Sequence, residues 1–246
     1  MENIISNKNY YIKEIQPKIA REMIIKYHYS HKVVPNSKVH LGIFKLDGDE
    51  LVGVLQYGYP MNPKQTPSKL VENSTKDEMY ELNRMAMLDD EPKCCESQAI
   101  GLSIKWIKRN KPHIKWLLSF SDGKEGNVGI IYQATNWLYC GYKISDSFYD
   151  LDGVTIHAIQ IWHKHKNKPS VENMDTVYKD FNNVSRFHAR QYIYIMPIDK
   201  KVNILRPIEE FYPKRETEPK ITKQIIYKEN GVILDKKRVV DFLINV

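Results

Sequence analysis

The chain has 246 residues, of which 42% are hydrophobic and 11% aromatic, enough to bury a core and too much for disorder throughout. No apolar run approaches the roughly 20 residues that cross a bilayer, and the opening MENIISNKNYYIKEIQPK lacks the basic-then-apolar layout of a signal peptide, so a cytosolic protein with no membrane partner is expected. The net charge of +7 favours a polyanionic partner such as nucleic acid, and Cys94, Cys95 and Cys140 form neither a disulfide framework nor a zinc spacing.

In chain order, Ile15, Ile19, Met23 and Tyr27 recur at helical spacing within 11–32, a stretch that ends in the polar-aromatic string Tyr27-His28-Tyr29-Ser30-His31-Lys32. VHLGIFKL and LVGVLQYGY flank Asp47-Gly48, a hairpin signal. Residues 60–79 are polar and Pro-interrupted, hence a surface loop. Tyr80–Leu88 reads as a strand, Leu102–Arg109 as a helix with Ile104 and Ile107 or Trp106 toward the core, and Trp116–Ser121 as a buried strand. Val128–Tyr139 reads as a helix closed by Gly141. Thr155–Trp162 and Tyr192–Met196 read as strands, residues 164–183 as a helix or excursion, and Asn230-Gly231 as the turn of a small hairpin in a charged tail.

Basic residues gather at Lys105, Lys108, Arg109 and Lys111, at His163, Lys164, His165, Lys166 and Lys168, and at Lys214, Arg215, Lys220 and Lys223. Each cluster is a solvated face or a contact for a nucleic-acid backbone. Tyr178, Arg186, His188, Arg190 and Tyr192 interleave bases with aromatics, which suits either DNA contact or packing.

Two constellations carry chemistry. Gln98-Ala99-Ile100-Gly101-Leu102-Ser103 is expected between a strand and a helix, where a glycine lets the backbone approach a phosphate and free N–H groups favour an anion; a plain turn is the other reading. Asn127, Asn136, Tyr139 and Gly141 surround the helix after the central strand. The order of strand, Gln-x-x-Gly-x-Ser turn, helix, strand and a helix ending Leu-Tyr-x-Gly-Tyr resembles the GNAT acyltransferase superfamily. There a (Gln/Arg)-x-x-Gly-x-(Gly/Ala) turn cradles the pyrophosphate of an acyl-coenzyme A; Gln98 and Gly101 match, and Ser103 departs at the third position.

A narrower resemblance rests on Glu81–Arg84 (ELNR), Glu96–Gly101 (ESQ-x-x-G), Ser119–Asp122 (S-x-x-D), Gly129–Asn136 (G-x-I-Y-Q-A-x-N) and the early His28-Tyr29-Ser30. Together these resemble the Mom family of phage DNA adenine-modification proteins, over roughly residues 20–165. The resemblance implies a GNAT-like α/β (α+β) fold with a mixed, mostly antiparallel central sheet flanked by helices. The chain is expected to divide into a GNAT-like catalytic domain over 1–165 and a C-terminal extension over 166–246 packed on the same domain. The resemblance also implies attachment of a carbamoylmethyl group to adenine N6 in double-stranded DNA, protecting phage DNA from restriction. The donor is expected to be acyl-type, coenzyme A-linked or on an aminoacyl carrier, and iron is a further expectation.

The N6 lone pair is delocalised into the ring, so such a site must position it, take a proton and stabilise charge on the donor. Asp122 is the candidate base or metal ligand, with a helix N-cap as the alternative. Arg84 would clamp an anion or make a strand-edge ion pair. Ser97 would bond a donor oxygen or cap a helix. Tyr132 and Trp137 would stack an extruded base or pack the core. Tyr29 and His28 would supply an acid and a ligand, and His28, Tyr29 and Asp122 form the candidate metal set. Gln98, Gly101, Ser103 and Asn136 would surround the donor. Two other readings are an acyl-coenzyme A N-acetyltransferase acting on a protein or small amine, and a DNA-binding protein without activity.

Overall fold

The structure is a computed structural model that describes residues 4–123, 126–157, 161, 180–215, 219–230 and 232–242. It separates into two compact units, each drawn from three segments. The first comprises Met1–Ser119, Ile130–Gly141 and Ile193–Glu210, and the second Phe120–Gly129, Tyr142–Tyr192 and Phe211–Val246.

In the first unit, strands β1 (Ile5–Ser6), β2 (Tyr10–Glu14), β3 (Ser37–Lys45), β4 (Leu51–Gly58) and β5 (Met79–Met87) pair antiparallel in sequence order. β5 then pairs parallel with β6 (Trp116–Asp122). This is the mixed, mostly antiparallel sheet that the resemblance implies. The parallel ladder joins Met79, Tyr80 and Glu81 to Trp116, Leu117 and Leu118 and stops there, although β5 runs on to Met87. Beyond Glu81 and Leu118 the two strands part.

Two helices cover this sheet. Helix α1 (Pro17–Tyr27) opens on Pro17, whose missing N–H costs nothing at a first helical position, and ends where the His28 N–H bonds the Ile24 carbonyl. Ala20 and Ile24 pack on Val54 and Ala86, with Ile15, Met23, Tyr27 and Leu51 around them. The expected helix over 11–32 is therefore shorter: Tyr10–Glu14 is a strand, and Ile19 is 39% exposed. Helix α3 (Cys95–Asn110) buries Ala99, Ile100, Leu102, Ser103, Trp106 and Ile107, a stripe at helical spacing whose larger apolar members each contribute about 1.5–3 kcal/mol. The core side of α3 thus uses Trp106 and Ile107, while Ile104 is only half-buried.

The expected surface loop at 60–79 holds the short helix α2 (Thr66–Leu70) and a 3-10 turn at Lys76–Glu78, with Leu70 and Val71 buried. The expected helix over Val128–Tyr139 is a single turn, α4 (Ile130–Gln133). Asn136 then takes a φ of 58°, the Trp137 N–H folds back to the Tyr132 carbonyl, and β7 (Leu138–Leu151) begins, so Gly141 lies in a strand.

The second unit holds the rest of β7 with β8 (Val154–His157), paired antiparallel. It also holds most of β9 (Val184–Pro197), with β10 (Pro219–Glu229) and β11 (Val232–Phe242) following antiparallel. The tail hairpin is much longer than its Asn230-Gly231 turn suggested. Tyr149, Leu151, Ile161, Val184 and Ile226 form its core. The 164–183 excursion, the basic cluster at His163–Lys168, Tyr178 and the side chain of His188 lie largely or wholly outside the described residues.

Candidate active site

The polar side chains of the first unit gather around a β-bulge in β5. Gln56 of β4 faces Arg84 and Tyr57 faces Leu82, so Asn83 is the extra residue. Bulges of this kind bend a strand and re-aim its side chains. Asn83 is buried; its amide donates to the Tyr59 carbonyl at 3.3 Å, and its Oδ1 accepts from Ser37 Oγ at 3.2 Å. Asn36 also donates to the Tyr59 carbonyl. A side chain at Gly58 would collide with the Asn36 backbone, which is why glycine stands there.

Arg84 is half-buried and tied down twice, from Nε to the Lys32 carbonyl at 3.0 Å and from Nη1 to the Asn83 carbonyl at 2.7 Å. The first bond fastens the segment after α1 to β5. His28, at the end of α1, is 8% exposed, and its ring stacks on Tyr29 at 4.3 Å. Burial, then the Arg84 and His31 charges, lower its pKa from 6.5 to about 4, so the imidazole is neutral at physiological pH. Tyr29 itself is 59% exposed. Next to Arg84 in register, Gln56 is buried and donates Nε2 to His40 Nδ1 at 3.1 Å, while its Oε1 is buried with no hydrogen-bond partner.

A second polar group lies where β5 and β6 part. Ser119 Oγ, fully buried, donates to the Tyr132 hydroxyl at 2.8 Å and lies 3.4 Å from the Leu82 carbonyl. The Tyr132 ring packs against Trp137 at 5.3 Å and Tyr194 at 5.2 Å. Burial drives the Tyr132 pKa up to about 12; the Ser119 bond opposes this and the Glu81 charge adds to it. The phenol therefore stays protonated and can donate a hydrogen bond to developing negative charge.

The expected donor turn is corrected by the helix. α3 starts at Cys95, so Gln98, Gly101 and Ser103 all lie within it. The Gly101 N–H belongs to the interior of the helical ladder and is not a free anion donor. Gln98 Oε1 accepts from Asn7 at 3.1 Å and Asn9 at 2.8 Å. Ser103 is buried, donates to the Ile100 carbonyl at 2.8 Å and meets the Tyr57 hydroxyl at 2.6 Å, a core contact. Ser97 donates to the Cys94 carbonyl at 2.9 Å, a first-turn bond. The same turn carries Glu96; burial, then Glu96 and Glu91, push the Cys95 thiol up to about 12. Carboxylates already complement this helix terminus.

Asp122 ends β6 within the second unit, half-buried, with its carbonyl accepting the Asn127 N–H at 3.4 Å. Asn136 is exposed in the turn after α4. Among the described residues no group of three or more His, Cys, Asp or Glu side chains is placed to hold a metal ion. His28 Nδ1 accepts the Ser30 N–H at 3.1 Å, with Ser30 Oγ at 2.8 Å, which leaves the ring proton on Nε2. No step below runs through a metal.

Sequence reasoning missed Gln56, His40, Asn83 and Tyr194. The first three had a signal, a polar residue inside an apolar strand run; Tyr194, 62 positions from Tyr132, had none. Among the described residues no helix is long and apolar enough to cross a membrane.

The sequence model of the Mom protein family matches residues 9–214. The methylcarbamoylase mom of Escherichia phage Mu is 40% identical over 153 residues, which span 62% of this chain and 62% of that protein. Among solved structures, the ribosomal-protein-S5-alanine acetyltransferase of Vibrio fischeri is similar at a TM-score of 0.44 and 8% identity, covering 80% of this chain and 97% of that one. A GNAT-family acetyltransferase of Bacillus anthracis is similar at a TM-score of 0.42 and 11% identity, covering 79% and 98%.

Proposed function

The chain belongs to the Mom protein family, and from that premise we propose that it is a GNAT-like DNA-modifying transferase that places a carbamoylmethyl group on adenine N6 and so shields phage DNA from restriction. The phage Mu relative is a methylcarbamoylase, which supports transfer of a small amide-bearing group. The net charge of +7 suits a DNA substrate.

The observation that carries the reading is the buried Ser119–Tyr132 hydroxyl pair at the point where β5 leaves β6. With Ser119 donating to it, the phenol keeps its own proton for a second acceptor. That proton meets negative charge on the donor as the bond to N6 forms. Asp122 takes the proton that N6 must lose, because the amine becomes a competent nucleophile only as that proton leaves. Arg84 is held by two carbonyls through Nε and Nη1, and its role is to pair through Nη2 with an oxygen of the donor. Tyr29, exposed and stacked on His28, offers a ring face to a base drawn from the duplex. The donor is borne on a carrier, coenzyme A-linked or aminoacyl: as N6 bonds to the transferred carbon, the bond from that carbon to the carrier breaks and the carrier leaves with its electron pair.

The test is mass spectrometry of nucleosides from plasmid DNA after expression of the full chain in bacteria. A deoxyadenosine heavier by a carbamoylmethyl group is expected. Unmodified DNA from well-expressed, folded protein refutes the proposal.

A further inference from the structure

The basic-aromatic interleaving around Arg186–Tyr192 takes no part in the chemistry above, and the second unit gives it a definite arrangement. Arg190 of β9 lies over the Tyr142 ring of β7, with its guanidinium carbon 4.3 Å from the ring centroid. Four residues back on the same strand, Arg186 lies over the Tyr149 ring at 5.9 Å. Lys143 lies over Phe120 at 4.6 Å, and Tyr142 meets Tyr192 edge-on at 6.4 Å. Tyr149 and Tyr192 are buried, but Tyr142 is 41% exposed, its β7 neighbour Ile144 is 57% exposed, and Lys143 is exposed.

This arrangement lies beside the candidate base. A Cβ at Gly123, the residue after Asp122, would sit 2.6 Å from the Arg190 carbonyl and 3.2 Å from the Tyr192 ring. Only glycine lets the backbone come so close, and the approach fixes Asp122 next to the Arg190 rung.

Resting on the reading of the protein as a DNA-modifying enzyme, we propose that this face of β7 and β9 is where the DNA backbone is gripped. Stacking on tyrosine occupies the flat face of a guanidinium and orients its N–H edge, the part that pairs with phosphate oxygens. An exposed tyrosine beside such cations is a platform for an unstacked base. Positive charge beside a part-exposed tyrosine fits a nucleic acid better than a neutral apolar partner, because the cations are matched by a polyanion.

The test measures equilibrium binding of the full-length protein to a plasmid-derived duplex across a salt series, alongside plasmid modification. Arg190→Gln should lower affinity by on the order of tenfold at 0.1 M salt and make the salt slope shallower by about one, as loss of one phosphate contact requires. Arg186→Gln, four residues back on the same face of β9, should shift both in the same direction. Lys69→Gln, an exposed lysine of the first unit, should change neither. If Arg190→Gln and Arg186→Gln bind with wild-type affinity and slope while the wild-type protein binds and modifies DNA, this surface is not the grip and the enzymatic reading stands. If the wild-type protein neither binds nor modifies DNA, the enzymatic reading fails and this inference fails with it.

Discussion

Replacing Tyr132 with phenylalanine separates what the hydroxyl does for stability from what it does for chemistry. The ring stays packed between Trp137 and Tyr194, so no cavity opens. One buried hydrogen bond is lost, and Ser119 Oγ can turn to the Leu82 carbonyl at 3.4 Å. The net cost of such a bond is about 1 kcal/mol, which lowers the melting temperature of a chain this size by about 2–4 °C. The activity should fall far more, by roughly a hundredfold to a thousandfold, because a donor to developing negative charge disappears. Ser119→Ala is the companion: it leaves the Tyr132 hydroxyl buried without that partner, costs about 1–3 kcal/mol and spares the phenol proton. Modified deoxyadenosine is followed by nucleoside mass spectrometry, and stability by thermal melting. A Tyr132→Phe protein that modifies DNA like the wild type would refute the role given to the phenol.

Acid should reveal the buried His28. Its folded pKa of about 4 lies below the ordinary 6.5, so between those values the unfolded chain binds the extra proton. The stability it contributes is present above pH 6.5 and is lost as pH falls through 4, by up to about 3 kcal/mol. His28→Gln should flatten that limb of the stability profile, and an unchanged limb would show that another group causes it. Asp122→Asn should abolish modification while DNA binding in a salt series stays near wild type; normal modification by that variant removes Asp122 from the base role. Gly101→Ala should stabilise α3 by about 0.5–1 kcal/mol, because a Cβ there meets nothing within 4 Å. Modification should persist, and a folded Gly101→Ala protein that no longer modifies DNA would return this glycine to the donor.

The sequence was most readable where one force dominates. The β3–β4 hairpin and the strands holding Arg84 and Ser119 alternate or run apolar between clear turn residues, and they fold as their patterns predict. It was least readable at helix ends. Gly101 reads as punctuation, yet α3 begins six residues earlier, where Cys94 adopts a φ of 68° and the Cys95 N–H bonds the Pro92 carbonyl. Neither event has a propensity signature. The pattern Val128–Tyr139 looks helical because its apolar residues are spaced for it, but Asn136 turns left-handed and Leu138-Tyr139-Cys140 join a strand. Tertiary pairing overrides local preference there.

The candidate site follows a different logic. His28 and Arg84 were visible as polar residues beside apolar elements, but Arg84 is held by the Lys32 carbonyl, 52 positions away. The Ser119–Tyr132 pair joins a strand to a one-turn helix that the periodicity had drawn three times too long. What marks these positions physically is cost. A glutamine, an asparagine and a serine buried in strand interiors at Gln56, Asn83 and Ser119 each give up solvation that an apolar residue would not. Packing alone would favour valine at all three. Polar groups kept at such positions, next to a bulge and a parting of strands, are where the sequence departs from what the fold alone requires, and that departure is the physical argument for placing the chemistry there.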